Sequence, residues 1–203
     1  MTPVLIRLAA CAALVLALTG CVTLFPKAEP SVLYRFEVAA PETVAAKTFD
    51  VTRGLTVFNQ AASSDGILTV TNGAAAYIDG ARWVTPAERL FDEQLGRAFM
   101  AGPARLTPRG TAGQAEWMMR LEVQRFEAVY RGDPESAPTV VVEIKATLAR
   151  NRRDGETLDR VFRAEVPAEA NRVSAIVTAY NGALTSTLTD LANWVGAAGV
   201  KPD

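Results

Sequence analysis

The chain contains no histidine and only two cysteines, Cys11 and Cys21, both near its amino terminus. Without histidine there is no Ser-His-Asp or Cys-His nucleophilic site, no imidazole proton shuttle and no histidine-ligated zinc. With no cysteine beyond Cys21, no disulfide can brace the body of the protein even in an oxidising compartment, so stability must come from packing. An excess of charge of one sign is missing too: 21 Lys and Arg stand against 22 Asp and Glu, a net charge of −1. Such a balance supplies neither the basic stripe that nucleic acid needs nor a polybasic patch for an anionic membrane. No nucleic-acid partner is expected. The sequence also lacks G-x-S-x-G, G-x-x-x-x-G-K-[ST], a G-x-G-x-x-G after a strand, and an EF-hand loop. Carboxylate-only and Ser-Lys chemistry stay open, and no cofactor or metal is expected.

What is there begins with a short segment carrying Arg7, an uncharged run from Leu8 to Leu18, and small residues directly after it. That pattern predicts a secretion signal. A membrane-spanning helix needs roughly 20 consecutive apolar residues, and this run ends well short of that, before Lys27 and Pro30. The segment Leu18-Thr19-Gly20-Cys21 resembles a bacterial lipobox. That resemblance implies cleavage before Cys21 and lipid on its sulfur and its amine. Several acyl chains, each contributing about 0.8 kcal/mol per buried CH₂, hold a protein more firmly than a single reversible anchor does. Val22 stands where an aspartate would resemble an inner-membrane retention signal, so a periplasm-facing outer-membrane location is expected. The expected organisation is a lipoprotein signal peptide over residues 1–20, a lipidated tether over 21–30, and one domain over 31–203.

Within the domain, Ser31 to Val38 alternates Tyr34, Phe36 and Val38 and predicts a strand that Pro41 ends. Gly54 to Phe58 predicts another, and Ala75 to Ile78 a short third, with turn signals at Ser63-Ser64-Asp65-Gly66 and Asn72-Gly73. Thr85-Pro86-Ala87-Glu88 predicts a helix start, with Thr85 as cap, Pro86 at the first position and Glu88 closing a capping box. Leu90, Phe91, Leu95, Ala98 and Phe99 then share one face, and Gly102-Pro103 stops the run. Arg89, Asp92, Glu93 and Arg97 read as its solvated face.

Three long runs follow and predict an antiparallel meander. In the first, Trp117 to Tyr130, Met119, Leu121 and Val123 alternate, and Phe126 and Ala128 fall out of phase with them. That slip near Gln124-Arg125 predicts a β-bulge. The second alternates Val140, Val142, Ile144, Ala146 and Leu148 with polar residues, and the third places Phe162, Ala164 and Val166 inward. A last helix is expected from Arg172 to Ala198, with a stripe through Tyr180 and Leu184 and small residues on its flank. Together these predict an α/β (α+β-like) domain: a mixed, largely antiparallel sheet of about five strands under two main helices.

The lipobox, the short tether and the run Tyr77-Ile78-Asp79-Gly80-Ala81-Arg82-Trp83-Val84-Thr85-Pro86 before a helix are similar to the ABC-type transport auxiliary lipoproteins, the PqiC-like group. The Leu121-Glu122-Val123…Phe126 strand and the alanine-rich last helix extend the resemblance over most of the domain. It implies a non-catalytic lipoprotein accessory to an MCE-type lipid transport system, in which a permease and ATPase work with an MCE substrate-binding protein. It also implies a layered fold similar to the amino-terminal domain of TolB.

Arg82 and Trp83 are candidate partner contacts, because Arg and Trp anchor interfaces, although Trp83 packed beneath the following helix with Arg82 paired locally is the plainer reading. Tyr77, Tyr130 and Arg131 are the other candidate contacts. Trp117-Met118-Met119 raises a lipid-contacting patch, with Met119 in the core as the plainer reading. Two functions compete: docking of partner proteins, with self-association to serve it, and carriage of lipid in an apolar pocket between sheet and helix. An enzyme working through carboxylates such as Glu127 and Asp133 has little to recommend it, since no pair of acids has a reason to face one cleft.

Overall fold

Alternating apolar runs and the turns between them lay down eight strands and two helices in a computed structural model that describes residues 30–39, 43–110, 115–152 and 155–199. Cys21 and the rest of the expected signal and tether, apart from Pro30, lie outside the described residues. The order is β1 (Val32–Tyr34), β2 (Phe49–Phe58), β3 (Gly66–Thr71), β4 (Ala74–Trp83), α1 (Ala87–Ala98), β5 (Ala104–Thr107), β6 (Trp117–Tyr130), β7 (Thr139–Arg150), β8 (Thr157–Pro167) and α2 (Val173–Gly199).

The long strand β6 organises the sheet. One of its edges pairs antiparallel with β7 from Trp117 to Val129, and β7 pairs antiparallel with β8. Its other edge is divided: β2 runs parallel to Trp117–Val123, and β3 runs parallel to Ala128–Tyr130. The sheet therefore forks into a β2–β5 branch and a β3–β4–β1 branch. The fork coincides with the bulge expected from the phase slip, between Val123 and Arg125. Asn59, just past the end of β2, fastens the fork: its backbone N–H donates to the Val123 carbonyl at 2.9 Å and its side-chain amide to the Gln124 carbonyl at 3.1 Å.

The mixed α+β architecture matches the expectation, whereas the strand count is eight rather than about five. Six of the eight stand out as runs in the sequence; the two that do not are β3, caught between two turn signals, and the four-residue β5. The β3–β4 hairpin turns on Asn72 and Gly73 at φ 50° and 84°, the two positive angles of a type I′ turn. The β6–β7–β8 meander and this hairpin are antiparallel, and β1–β4, β2–β5, β2–β6 and β3–β6 are parallel.

Helix α1 does not start as the sequence suggests. Pro86 holds the cap position with no side-chain cap bond, and backbone carbonyls replace Thr85 and Glu88: Ala87 N–H donates to Ser64 O at 3.0 Å and Glu88 N–H to Ser63 O at 3.5 Å. The Ser63-Ser64 turn thus supplies acceptors for the orphan amides of the first helical turn. At the other end Lys47 Nζ donates to the carbonyls of Phe99, Met100 and Gly102 at 2.7, 2.9 and 2.6 Å, a cation against the negative end of the helix. Burial and the nearby Arg105 hold the Lys47 ammonium below its ordinary pKa.

Both helices cover the same face of the sheet. The core between them is aromatic: Phe126 lies 5.5 Å from Phe58, which meets Phe91 of α1, and 4.8 Å from Tyr180 of α2. After β1 the chain passes between the helices as an extended strap. Its successive amides at Glu37, Val38 and Ala39 donate alternately to Asn181 of α2, Gln94 of α1 and Thr185 of α2. The two helices are joined through this strap by side-chain acceptors that stand where neighbouring strands would.

Candidate functional site

Trp83 ends β4 with its side chain on the helix-covered face, 2% exposed. Its ring meets Phe36 and Tyr180 edge-on at 5.0 and 5.2 Å. That position corrects Trp83 as a candidate partner contact, because a buried indole presents nothing to a partner. Arg82, one residue earlier, points to the other face and binds Asp65 at 3.2 Å. Tyr77 is exposed, donates to the Ala61 carbonyl at 2.8 Å, and lays its ring on Gly66, where a Cβ would meet it at 2.6 Å. A side chain at 66 would have to displace the Tyr77 ring. Tyr77 and Arg82 thus hold the β3–β4 hairpin to the preceding loop and line one small hollow of about 240 Å³ with Asp65 and Gly66, and Trp83 is no part of it.

Tyr130 and Arg131 sit at the far end of β6. The Tyr130 hydroxyl donates to Asn171 Oδ1 at 2.8 Å and Asn171 Nδ2 donates to the Pro134 carbonyl at 3.0 Å, which ties the β6–β7 loop to the entry of α2. Burial, with Glu135 nearby, raises the Tyr130 pKa. Arg131 pairs with Glu165 at 2.5 Å. The two acids weighed for catalysis are apart in role: Glu127 takes Arg125 at 2.6 Å, and Asp133 accepts from the Glu135 amide at 2.9 Å to shape the loop. Met119 is 1% exposed and belongs to the core, and Trp117 lies under the Arg150 guanidinium, 5.5 Å away. Only Met118 of that trio looks outward, partly exposed.

The middle of the space between sheet and helices, where a carried lipid would sit, is packed with large side chains. Trp83, Tyr180, Phe36, Phe91 and Phe126 are among the largest side chains fully buried there. Among the described residues no helix covers the opposite face, and its two halves differ. Beside the carboxyl end of β6, Val141 points to this face and is nevertheless 0% exposed. Its cross-strand neighbours are Glu127 and Glu165. Around it Arg125–Glu127, Arg131–Glu165, Arg163–Glu165 and Arg163–Glu143 form a ladder of ion pairs. Within that ladder the two guanidinium groups lower the Glu165 pKa through hydrogen bonds from Arg163 and Arg131.

Beside the amino end of β6 the same face carries Leu55 and Val57, 65% and 51% exposed. Arg109, Arg120 and Lys145 surround them in a hollow that Met118 also lines, and among the described residues none of the three enters an ion pair. Sequence reasoning passed over this patch. Val51, Leu55 and Val57 share one parity in β2, so the sequence carried no sign that the last two turn outward.

Residues 39–192 match the family model of the ABC-type transport auxiliary lipoprotein component. The chain belongs to that family. Solved structures agree on the fold of this auxiliary lipoprotein. A Xanthomonas campestris protein is similar at 22% identity and a TM-score of 0.71, over 83% of this chain and 97% of its own. An uncharacterized protein is similar at 12% identity and a TM-score of 0.65, over 82% and 99%. A hypothetical protein from Chlamydia trachomatis is similar at 8% identity and a TM-score of 0.50, over 75% and 99%. No curated protein matches the sequence. Family membership makes the auxiliary lipoprotein a membrane-anchored envelope component that serves ABC-type transport.

Proposed function

We propose that this auxiliary lipoprotein is a non-catalytic accessory, held by lipid on Cys21 at the outer membrane and facing the periplasm. There it docks the substrate-binding protein of an MCE-type ABC lipid transport system. The observation that carries the reading is the family match over residues 39–192, borne by a domain whose central sheet–helix core is packed with large side chains. A packed core favours docking over carriage of lipid at the centre of the domain. Anchoring supports docking for a further reason: a tethered domain searches for its partner locally, at a raised effective concentration. Self-association of anchored copies would add valency to the same surface.

Cross-linking in intact cells tests this. An MCE protein should be recovered with the lipoprotein, and a Cys21→Ser form should leave the membrane fraction. Recovery of no transporter component under conditions that keep the transporter assembled contradicts docking. A Cys21→Ser form that stays in the membrane contradicts the anchor.

A further inference from the structure

Strand β2 contains a register shift against β6 between Arg53 and Thr56. Before it, Val51 faces the helices and is 0% exposed, and Arg53 reaches Asp92 of α1. After it, Phe58 faces the helices, packing on Phe91 and Phe126. An unbroken alternation would have put Leu55 and Val57 inside. The bulge turns both to the outer face, which no described helix covers, and there they stand exposed. Bulges re-aim side chains in this way beside binding sites.

Among the described residues the main chain at the same place is open. Pairing with β5 ends at Thr52, so from Gly54 to Phe58 no described strand pairs with the outer edge of β2. A hollow of about 500 Å³ flanks this edge on the α1 side and one of about 460 Å³ flanks it on the outer face, and Gly54, Leu55 and Arg109 belong to both. The edge is thus flanked by open space on both sides. In the outer hollow three cations without ion pairs among the described residues, Arg109, Arg120 and Lys145, stand against one lining acid, Glu122, with Asp159 just beyond it accepting from Thr147.

We propose that the outer edge of β2 from Gly54 to Phe58 takes an added strand from a partner protein, an extended segment in which acidic side chains alternate with apolar ones. Main-chain groups of the open edge would bind the segment's backbone, Leu55 and Val57 its apolar side chains, and the three cations its carboxylates. An anionic lipid would answer the cations and the apolar pair but would leave the free strand edge unused. The proposal rests on the docking reading and says where and by what chemistry docking occurs.

The test uses the full-length lipoprotein in detergent micelles and, as probe, a soluble peptide of alternating glutamate and valine. Hydrogen exchange should slow at Gly54–Phe58 when this peptide binds, and a lysine–valine peptide should leave those amides unchanged. Arg120→Glu with Lys145→Glu, both exposed, should weaken binding at least tenfold while the folded signal stays intact. Leu55→Ser with Val57→Ser should do the same through the apolar contacts. Equal binding of the lysine–valine peptide, slowing confined to other strands, or binding of phosphatidylglycerol vesicles but not of the peptide overturns the proposal. If the peptide fails while cross-linking in cells still recovers transporter components, the edge-pairing proposal falls and the docking reading stands.

Discussion

Two bulges, one in β6 and one in β2, do opposite things with apolar side chains. In β6, strict alternation from Trp117 would send Arg125 and Glu127 toward the helices; the shift at Gln124 puts Phe126 and Ala128 there instead, 1% and 0% exposed. In β2, alternation from Val51 would bury Leu55 and Val57; the shift exposes them and brings in Phe58. The first repairs a defect in the pattern, and the second spends hydrophobic burial on the surface. Each exposed aliphatic side chain gives up about 1.5–3 kcal/mol that full burial would supply. A chain without disulfides in its domain gives that up where the exposed side chains have another use.

Truncation should separate the two bulges most sharply. Phe126→Ala is expected to cost about 3–5 kcal/mol, since the ring sits among Phe36, Phe58 and Tyr180, while Val57→Ser should change stability by less than about 0.5 kcal/mol. Denaturant unfolding of both variants measures the difference. Trp83→Ala should fall with Phe126→Ala, at about 3–5 kcal/mol, because it is part of the same aromatic core. A Trp83→Ala protein that folds normally and loses only its partner would return this residue to the surface account.

Alkaline unfolding probes the core under the β6 bulge by another route. Tyr180 is buried against Phe126, and burial, followed by the charge of Glu127, lifts its pKa well above the ordinary 10.0. The unfolded chain releases this proton near pH 10 while the folded chain keeps it. The contribution is therefore fully present below about pH 10 and is lost as pH rises above it. Tyr180→Phe should flatten the decline of stability with pH in that range, measured by thermal melts from pH 8 to 11.5. A smaller effect is expected at the end of α1: Lys47→Met removes three bonds to carbonyls and should cost about 1–2 kcal/mol by denaturant titration. Smallest is Arg163→Gln in the ladder over Val141, expected to cost less than about 1 kcal/mol because its groups are partly solvated.

Much of this was legible in the sequence, and the illegible parts have physical reasons. The β6 slip was readable because apolar residues lie on both sides of it in a long run, so the change of phase is visible. The β2 shift was not, because Val51, Leu55 and Val57 keep one parity and look like an ordinary inward face. Only pairing with β6 reveals the inversion. Strands β1 and β5 draw their place from parallel partners distant in sequence, and no local pattern encodes the direction of a partner. The start of α1 misled for a similar reason: Thr85 and Glu88 form a plausible box, but the Ser63-Ser64 carbonyls arrive from another part of the chain and take the amides first. Trp83 shows the limit of residue-type arguments. Its identity suits an interface, and its parity in β4 decides for the core.

Site-specific photocrosslinking in living cells tests the account most directly. A photoreactive residue at position 57 is compared with one at position 32, since Val57 and Val32 are exposed to a similar degree, 51% and 56%, on different branches of the sheet. The account predicts adducts with the MCE-type substrate-binding protein from position 57 and none from position 32. Adducts of equal yield from both, or from position 32 alone, would contradict it.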